Sequence, residues 1–283
     1  MLKKLAFTLL LALALLPARS QNALLYKISS NGLQQPSYLY GTIHLICPED
    51  LVISPGLKSA MNAARELYLE IDMDDPSMMA TMGEALKTPE GYDLAQHFQP
   101  GDFDRLAAFM KDSMRADIAP FRKMKPLVVQ MMILRRVITC PMPASYEQQL
   151  VQMATAQKKP VQGLEKVEEQ VAMFDAIPDS TESRMIMEYV NNFQQQRNAF
   201  NRLVAAYKRQ DVAALHNELK SSPELAGFED LLVYDRNRNW VPVMEKAMRQ
   251  GTVLVACGAM HLGGNQGLLA LLKARGYAVT PVP

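Results

Sequence analysis

Tyr38-Leu39-Tyr40-Gly41-Thr42-Ile43-His44 and Thr252-Val253-Leu254-Val255-Ala256-Cys257-Gly258-Ala259-Met260-His261 decide how this chain is read. Each is a short apolar run that ends in Gly-x-x-His and leads toward a helix-forming segment, so each predicts a buried strand with an exit turn. An imidazole three residues past the exit glycine places a ligand or base at the strand's C-terminal end. Open α/β sheets put their sites there. The chain has four histidines, and two of them occupy this pattern. A single Gly-x-x-His is a weak signal, because a histidine after a strand can simply hydrogen-bond a neighbouring carbonyl. Two copies in matched settings carry more weight.

Working outward, both ends read strand, Gly-x-x-His, loop, helix, strand, from Tyr38 to Met73 and from Thr252 to Val282. In the first copy, Ser54-Pro55 offers an N-cap and a first-turn proline for a helix through about Arg65. Leu67 to Asp72 then alternates strictly and sets Tyr68, Glu70 and Asp72 on one face. In the second copy, a helix over Gln266 to Arg275 and Gly276 lead to a last strand, Tyr277 to Val282. Leu24 to Ser29 and Ser37 to Tyr40 pair as a hairpin around Asn31-Gly32. A further short strand at Lys159 to Gly163 leads to Leu164-Glu165 and a helix carrying Glu168, Glu169 and Gln170. The predicted fold is α/β: a mixed central sheet built from two related β-α-β units, flanked by helices and carrying a large helical insertion.

The insertion is read as mainly helical over about 76–156 and 180–250. Prolines 89, 100, 120, 126, 141 and 143 break the first part. Residues from about Ser180 to Lys220 read as two helices. Asp230 to Arg249 reads as another, holding Arg236-Asn237 and the only tryptophan, Trp240, and capped by Gly251. The methionines of the first part (Met78, Met79, Met82, Met110, Met114, Met124, Met131, Met132) read as adaptable core.

Residues 1–20 have a basic start (Lys3, Lys4), an apolar stretch from Leu5 to Leu16 and a small-x-small end at Ala18-Arg19-Ser20, the pattern of a secretory signal peptide. The mature chain is then 21–283, a single domain, soluble, without a stable membrane anchor, and periplasmic or secreted. Without Lys3, Lys4 and Arg19, 27 basic residues face 29 acidic ones. That balance, with no basic run interleaved with aromatics, argues against nucleic acid as a partner. Export permits disulfides. Cys257 lies inside an apolar run and reads as a buried free thiol, whereas Cys47 and Cys140 each precede a proline in loop-like sequence. We expect these two to be joined; the alternative is two unrelated buried thiols.

Two histidines and a carboxylate at neighbouring strand ends are what a divalent metal requires. An open coordination position lets bound water ionise near neutral pH and attack a carbonyl. The candidates are His44, His261, Glu70 and Glu165, with Arg236 to clamp a carboxylate or stabilise an oxyanion. Each also has a structural reading, as a carbonyl-bonded histidine, an exposed strand residue or an ion-pair partner. His97 and His216 lack comparable context and read as structural. No Gly-x-Ser-x-Gly elbow, phosphate loop or Cys-x-x-Cys is present.

The ordered set Tyr38 to His44, Leu69-Glu70, Gln162 to Glu165 with Glu169-Gln170, Arg236-Asn237 and Gly258 to Leu262 resembles the TraB/PrgY/GumN family, which includes the Tiki proteins. The resemblance implies a fold related to erythromycin esterases and haem-binding ChaN-like proteins. Tiki-like activity implies a divalent-metal-dependent protease (manganese, cobalt or zinc), with His44 and His261 on the metal, Glu70 as acidic partner, and Glu165 and Arg236 in support. The expected function is an exported metal-dependent hydrolase acting on a peptide or small-molecule substrate, a peptidase or amidase. The alternatives are a periplasmic protein that sequesters a peptide or haem without turnover, and a metal-independent, esterase-like hydrolase.

Overall fold

The computed structural model describes residues 22–222 and 227–283; the expected signal peptide lies outside the described residues. Six strands, β1 (Leu25–Ser29), β2 (Ser37–Thr42), β3 (Glu66–Leu69), β4 (Val161–Gly163), β5 (Val253–Gly258) and β6 (Ala278–Val282), form one sheet in the order β4-β3-β5-β2-β1-β6. β2, β5, β3 and β4 run parallel, and β1 is antiparallel to both of its neighbours, β2 and β6. The sheet is therefore mixed. Eleven α-helices are described: α1 (Pro55–Ala63), α2 (Met78–Ala85), α3 (Asp102–Phe109), α4 (Pro126–Val137), α5 (Tyr146–Ala156), α6 (Val167–Asp175), α7 (Asp179–Asn191), α8 (Phe193–Lys208), α9 (Val212–Ser221), α10 (Asp235–Gln250) and α11 (Leu268–Ala274).

β5 is the spine, with a parallel partner on each side. A strand covered by helices on both faces needs an unbroken apolar run, and Val253 to Cys257 supply one, each fully buried. Alternation divides the run. Leu254 and Ala256 join Leu57 and Met61 of α1 and Leu150 of α5 on one face. Val253, Val255 and Cys257 meet Trp240 and Met244 of α10 and Leu268 of α11 on the other. A separate core, built around Leu106, Met110, Ile133 and Ile186, holds the helical insertion together.

Local signals act as expected at several points. The Ser54 side chain accepts from the Leu57 amide and Pro55 opens α1. The Asn31-Gly32 turn takes left-handed backbone, with φ of 51° and 79°. Three expectations need correcting. Residues 180–220 lie in three helices rather than two, because Asn192 leaves helical geometry, Gln210 is left-handed at φ 55°, and the Asp211 side chain caps a new helix from Val212 by accepting the Ala214 amide. β3 stops at Leu69, so Glu70 and Asp72 sit beyond the strand rather than on its face. Of the eight methionines read as core, Met110 alone is fully buried, while Met79 and Met131 are 73% and 60% exposed. α2 buries no residue at all, which leaves its methionines at the surface.

Cys47 and Cys140 are joined, their Cα atoms 5.7 Å apart across 93 residues of sequence. Closing a loop of that length stabilises the fold by about 4–5 kcal/mol on the chain-entropy account. Cys257 is free and buried.

Candidate active site

The parallel register brings the two Gly-x-x-His segments together. Gly41 lies opposite Cys257 and Thr42 opposite Gly258, so His44 and His261 leave adjacent strands at the same end of the sheet. β3, on the other side of β5, delivers Glu70 just past its last residue. The glycines serve different ends. A Cβ at Gly41 would stand 2.6 Å from Leu262 Cδ1 and 3.0 Å from Ala259, so Gly41 lets β2 press against the other motif's turn. A Cβ at Gly258 would face Glu70 Oε1, His44 Nε2 and His261 Cδ2 at 3.4, 3.6 and 3.7 Å. Gly258 thus keeps open the point where the three side chains meet.

Glu70 Oε1 is 3.8 Å from His44 Nε2 and 4.0 Å from His261 Nε2. It accepts the Gly258 amide at 2.8 Å, and Oε2 accepts Arg236 Nη2 at 2.6 Å. Burial alone would raise the Glu70 pKa, but Arg236, the two histidines and the Gly258 amide together hold it far below the usual carboxylate range. It is a fixed negative charge at any moderate pH.

Each histidine is aimed through its other nitrogen. His44 Nδ1 lies 2.9 Å from Glu147 Oε1, and Glu147 is itself held by the Thr42 hydroxyl at 2.6 Å and the Ser145 hydroxyl at 2.8 Å. His261 Nδ1 lies 2.7 Å from Asn237 Oδ1, while Asn237 Nδ2 donates to the carbonyls of His261 and Gln266. With its amide hydrogens committed there, Asn237 presents an acceptor, so His261 carries its proton on Nδ1. Both rings turn Nε2 toward Glu70.

The two imidazoles differ in charge. Burial lowers the His261 pKa to about 3, outweighing the attraction of Glu70, with smaller repulsions from Arg236 and His44 in the same direction as burial. Burial also opposes charging His44, but the hydrogen bond to Glu147 and the charges of Glu70 and Glu147 raise it to about 9. The His44 side chain is 64% exposed, against 7% for His261, and solvent at that edge screens part of the interaction. Glu147 is held below its ordinary value, chiefly by the His44 hydrogen bond acting against burial.

Arg236 and Glu165 stand behind Glu70. Arg236 Nη2 donates to Glu165 Oε1 at 2.6 Å as well as to Glu70, Nε donates to Glu165, and Nη1 donates to the Leu232 carbonyl and lies 3.4 Å from His261 Nε2. Glu165 also accepts Trp240 Nε1 at 2.9 Å and Gln170 Nε2 at 3.0 Å. The guanidinium lies over the Trp240 ring, 4.6 Å from its centroid. With its donors committed, Arg236 clamps carboxylates, which leaves no free edge for an oxyanion. Glu168 and Glu169 are exposed.

The donor set, two imidazole nitrogens and a carboxylate oxygen, suits a divalent ion in its chemistry. Among the described residues no group of three or more His, Cys, Asp or Glu side chains is already spaced as a metal centre. The 3.8 and 4.0 Å separations compare with about 3.4 Å between donors on a tetrahedral ion with bonds of about 2.05 Å. Both histidine–carboxylate distances exceed that spacing by about 0.4–0.6 Å. Closing the set also takes the His261 Nε2 lone pair from a long contact that Arg236 Nη1 can lose while keeping the Leu232 carbonyl.

Beside the histidines lies an apolar cavity of about 240 Å³, lined by Leu203, Leu215, Leu232, Val233 and Met260 among others. A cleft of about 900 Å³, walled by Asp72, Glu165, Glu168, Asp235 and Trp240, lies on the other side of Arg236. Of the candidates read from sequence, His44, His261 and Glu70 converge, and Glu165 and Arg236 form the layer behind. Glu147 and the part played by Asn237 were missed. Ser145 as a helix cap followed by an acid at N2 looked like ordinary helix-start chemistry, and Asn237 was visible only as Arg236's neighbour.

No curated protein and no solved structure matches the chain. The sequence model of the TraB/PrgY/gumN family matches residues 24–281, nearly the whole chain, and the chain belongs to that family.

Proposed function

We propose that this TraB/PrgY/gumN family member is an exported hydrolase of peptide or amide bonds, with its reaction centre at His44, Glu70 and His261 and a divalent metal held by those three side chains. The observation that carries the reading is the convergence of both Nε2 atoms on Glu70 Oε1, each ring aimed by a partner on Nδ1. When bound, such an ion supplies Lewis acidity for a scissile carbonyl and lowers the pKa of water. Glu70 provides the charge that neutralises a cation, and Arg236 and the Gly258 amide keep it ionised and still. His261 keeps a neutral nitrogen free because its site is buried, and His44 gives up its Nε2 proton when it ligates. The apolar cavity excludes water beside the histidines and seats an apolar group of the substrate. Export is supported by the disulfide, and no helix among the described residues is long and apolar enough to cross a membrane. We read the two strand-helix-strand arms as related copies, and the fold as kin to erythromycin-esterase and ChaN-like proteins.

Metal analysis and peptide hydrolysis with added manganese, cobalt or zinc test the reading, using wild type, His44→Ala and His261→Ala. Stoichiometric metal on wild type and a loss of at least a hundredfold in each folded variant are expected. A folded wild type that binds no metal and shows no activity difference from the variants ends the proposal.

One observation favours a metal-independent hydrolase instead: a permanent cation, Arg236, already contacts both Glu70 and His261. In that case His44, carrying a proton at neutral pH, serves the leaving group, and Arg236 holds Glu70 and Glu165 in place around it. Full activity in excess chelator selects it.

A further inference from the structure

The Cys47–Cys140 disulfide sits where it can act on the site. Cys47 is three residues after His44, and Cys140 is seven before Glu147, the residue that aims His44. Next to the disulfide, the Ile46 amide donates to the Ala144 carbonyl at 3.0 Å and the Ala144 amide to the Ile46 carbonyl at 2.8 Å, the one isolated bridge among the described residues. Just beyond come Ser145, whose hydroxyl donates to Glu147 Oε2, and Glu147 itself, against His44 Nδ1. Disulfide, backbone pair and His44–Glu147 contact are thus successive ties between the same two segments.

Further along, the Thr42 hydroxyl donates to Glu147 Oε1 and the Tyr146 hydroxyl bonds the Val52 backbone, but the stretch nearest the disulfide has no such support. Cys140-Pro141-Met142-Pro143 forms no helix or strand, two of its residues are prolines without amide hydrogens, and Met142 is 79% exposed. His44 is largely exposed on its other edge, so the geometry of its ring depends on the segment that brings Glu147.

We propose that the Cys47–Cys140 disulfide is a clasp that positions His44 through Glu147, so that the reaction centre is completed only when the two thiols have been oxidised. Closure follows thiol–disulfide exchange. One cysteine thiolate attacks an external disulfide oxidant and forms a mixed disulfide. The second thiolate then displaces the external sulfur. The pair loses two electrons and two protons, and the oxidant leaves as a dithiol. A chain still in a reducing compartment carries an unclasped, idle site, and oxidation after export switches it on. Neither cysteine touches the reacting atoms; both are positioning residues, as is Glu147.

The effect on activity rests on the hydrolase reading above, so the experiment has two arms that fail separately. The first follows hydrogen exchange at the Ile46 and Ala144 amides and the imidazole Nδ1–H resonance of His44 in the protein as purified, after reduction, and after reoxidation. Reduction is expected to speed exchange at these two amides at least tenfold and to broaden or remove the His44 signal, while the β5 amides stay protected. Reoxidation restores both. The second arm measures hydrolysis. Reduction, Cys47→Ser with Cys140→Ser, and Glu147→Gln each lower kcat tenfold or more with KM changed less than threefold. Glu147→Gln does so with the Ile46 and Ala144 amides still protected, which separates aiming from general loosening. Unchanged exchange and an unchanged His44 resonance in fully reduced, folded protein overturn the clasp, whatever the activity shows. Changed exchange with no hydrolysis by any form leaves the clasp standing and overturns the hydrolase.

Discussion

The two Gly-x-x-His arms are nearly interchangeable in sequence and opposite in electrostatics. His261 is buried against Trp240, ring centroids 4.5 Å apart, and is aimed by a neutral amide; its pKa falls to about 3. His44 lies at the open edge, is aimed by a carboxylate, and rises to about 9. Repetition of a motif therefore fixes where a side chain emerges and leaves what it does to its neighbours. One arm is a permanent neutral nitrogen and the other a proton carrier that must be discharged before it can ligate. If the proposed cation binds here, its affinity should fall as pH drops below 9, with His44 carrying the loss.

The most disruptive way to break the contrast is to remove the cation behind both arms. Arg236→Ala strips the guanidinium from two largely buried carboxylates, Glu70 and Glu165, and should cost about 3–5 kcal/mol in chemical denaturation. A loss under 1 kcal/mol would mean that the clamp is not what holds Glu70. Next come exchanges of the aiming groups, read by NMR titration of the metal-free protein. Glu147→Gln removes the charge on His44 and should bring its pKa down from about 9 toward the ordinary value near 6.5. Asn237→Asp gives His261 the partner His44 has and should lift its pKa from about 3. Neither histidine moving would show that the aiming residues do not set the difference.

The glycines offer a milder comparison. Gly41→Ala forces a methyl into Leu262 and Ala259 and should cost about 1–3 kcal/mol by overpacking. Gly258→Ala meets ordinary contact distances and should leave stability within about 1 kcal/mol, yet it fills the meeting point of the three side chains and should abolish metal uptake. Equal stability losses would contradict the separate roles of the two positions.

The contrast also shows in stability against pH. The folded pKa of His44 lies above its unfolded value, so its contribution is present below about pH 6.5 and fades as pH rises through 9. His261 is depressed, so its contribution is present above about pH 6.5 and fades as pH falls toward 3. Between them they place a maximum near pH 6.5. Urea midpoints in chelator should show a flatter alkaline limb in His44→Gln and a shallower acid limb in His261→Gln.

How far the sequence carried can be seen at these same residues. The strands, the Ser54 cap, the disulfide pairing and the meeting of His44, His261 and Glu70 were legible because each rests on a local pattern: an apolar run, a capping hydroxyl, a glycine at a strand exit. Glu147 was not, since its function depends on a contact 103 residues away in sequence and its own surroundings look like any helix start. The three helices between 180 and 220 were blurred because Gln210 gives no sign of its left-handed backbone. Asn237 and the commitment of every Arg236 donor are properties of the assembled layer, with no periodicity to announce them.

β5 has a consequence for the order of assembly. It is the fifth strand to be synthesised, yet β2 and β3 pair with it and not with each other. Until residue 258 has left the ribosome, the middle of the sheet is missing, and β1 also lacks its outer neighbour, β6. The nascent chain can form helices and the β1–β2 hairpin, but its main core has nothing to condense around. Contacts that close so late make folding slow. The strand that completes the sheet arrives almost last, so the site at its C-terminal end is assembled only when synthesis is nearly complete.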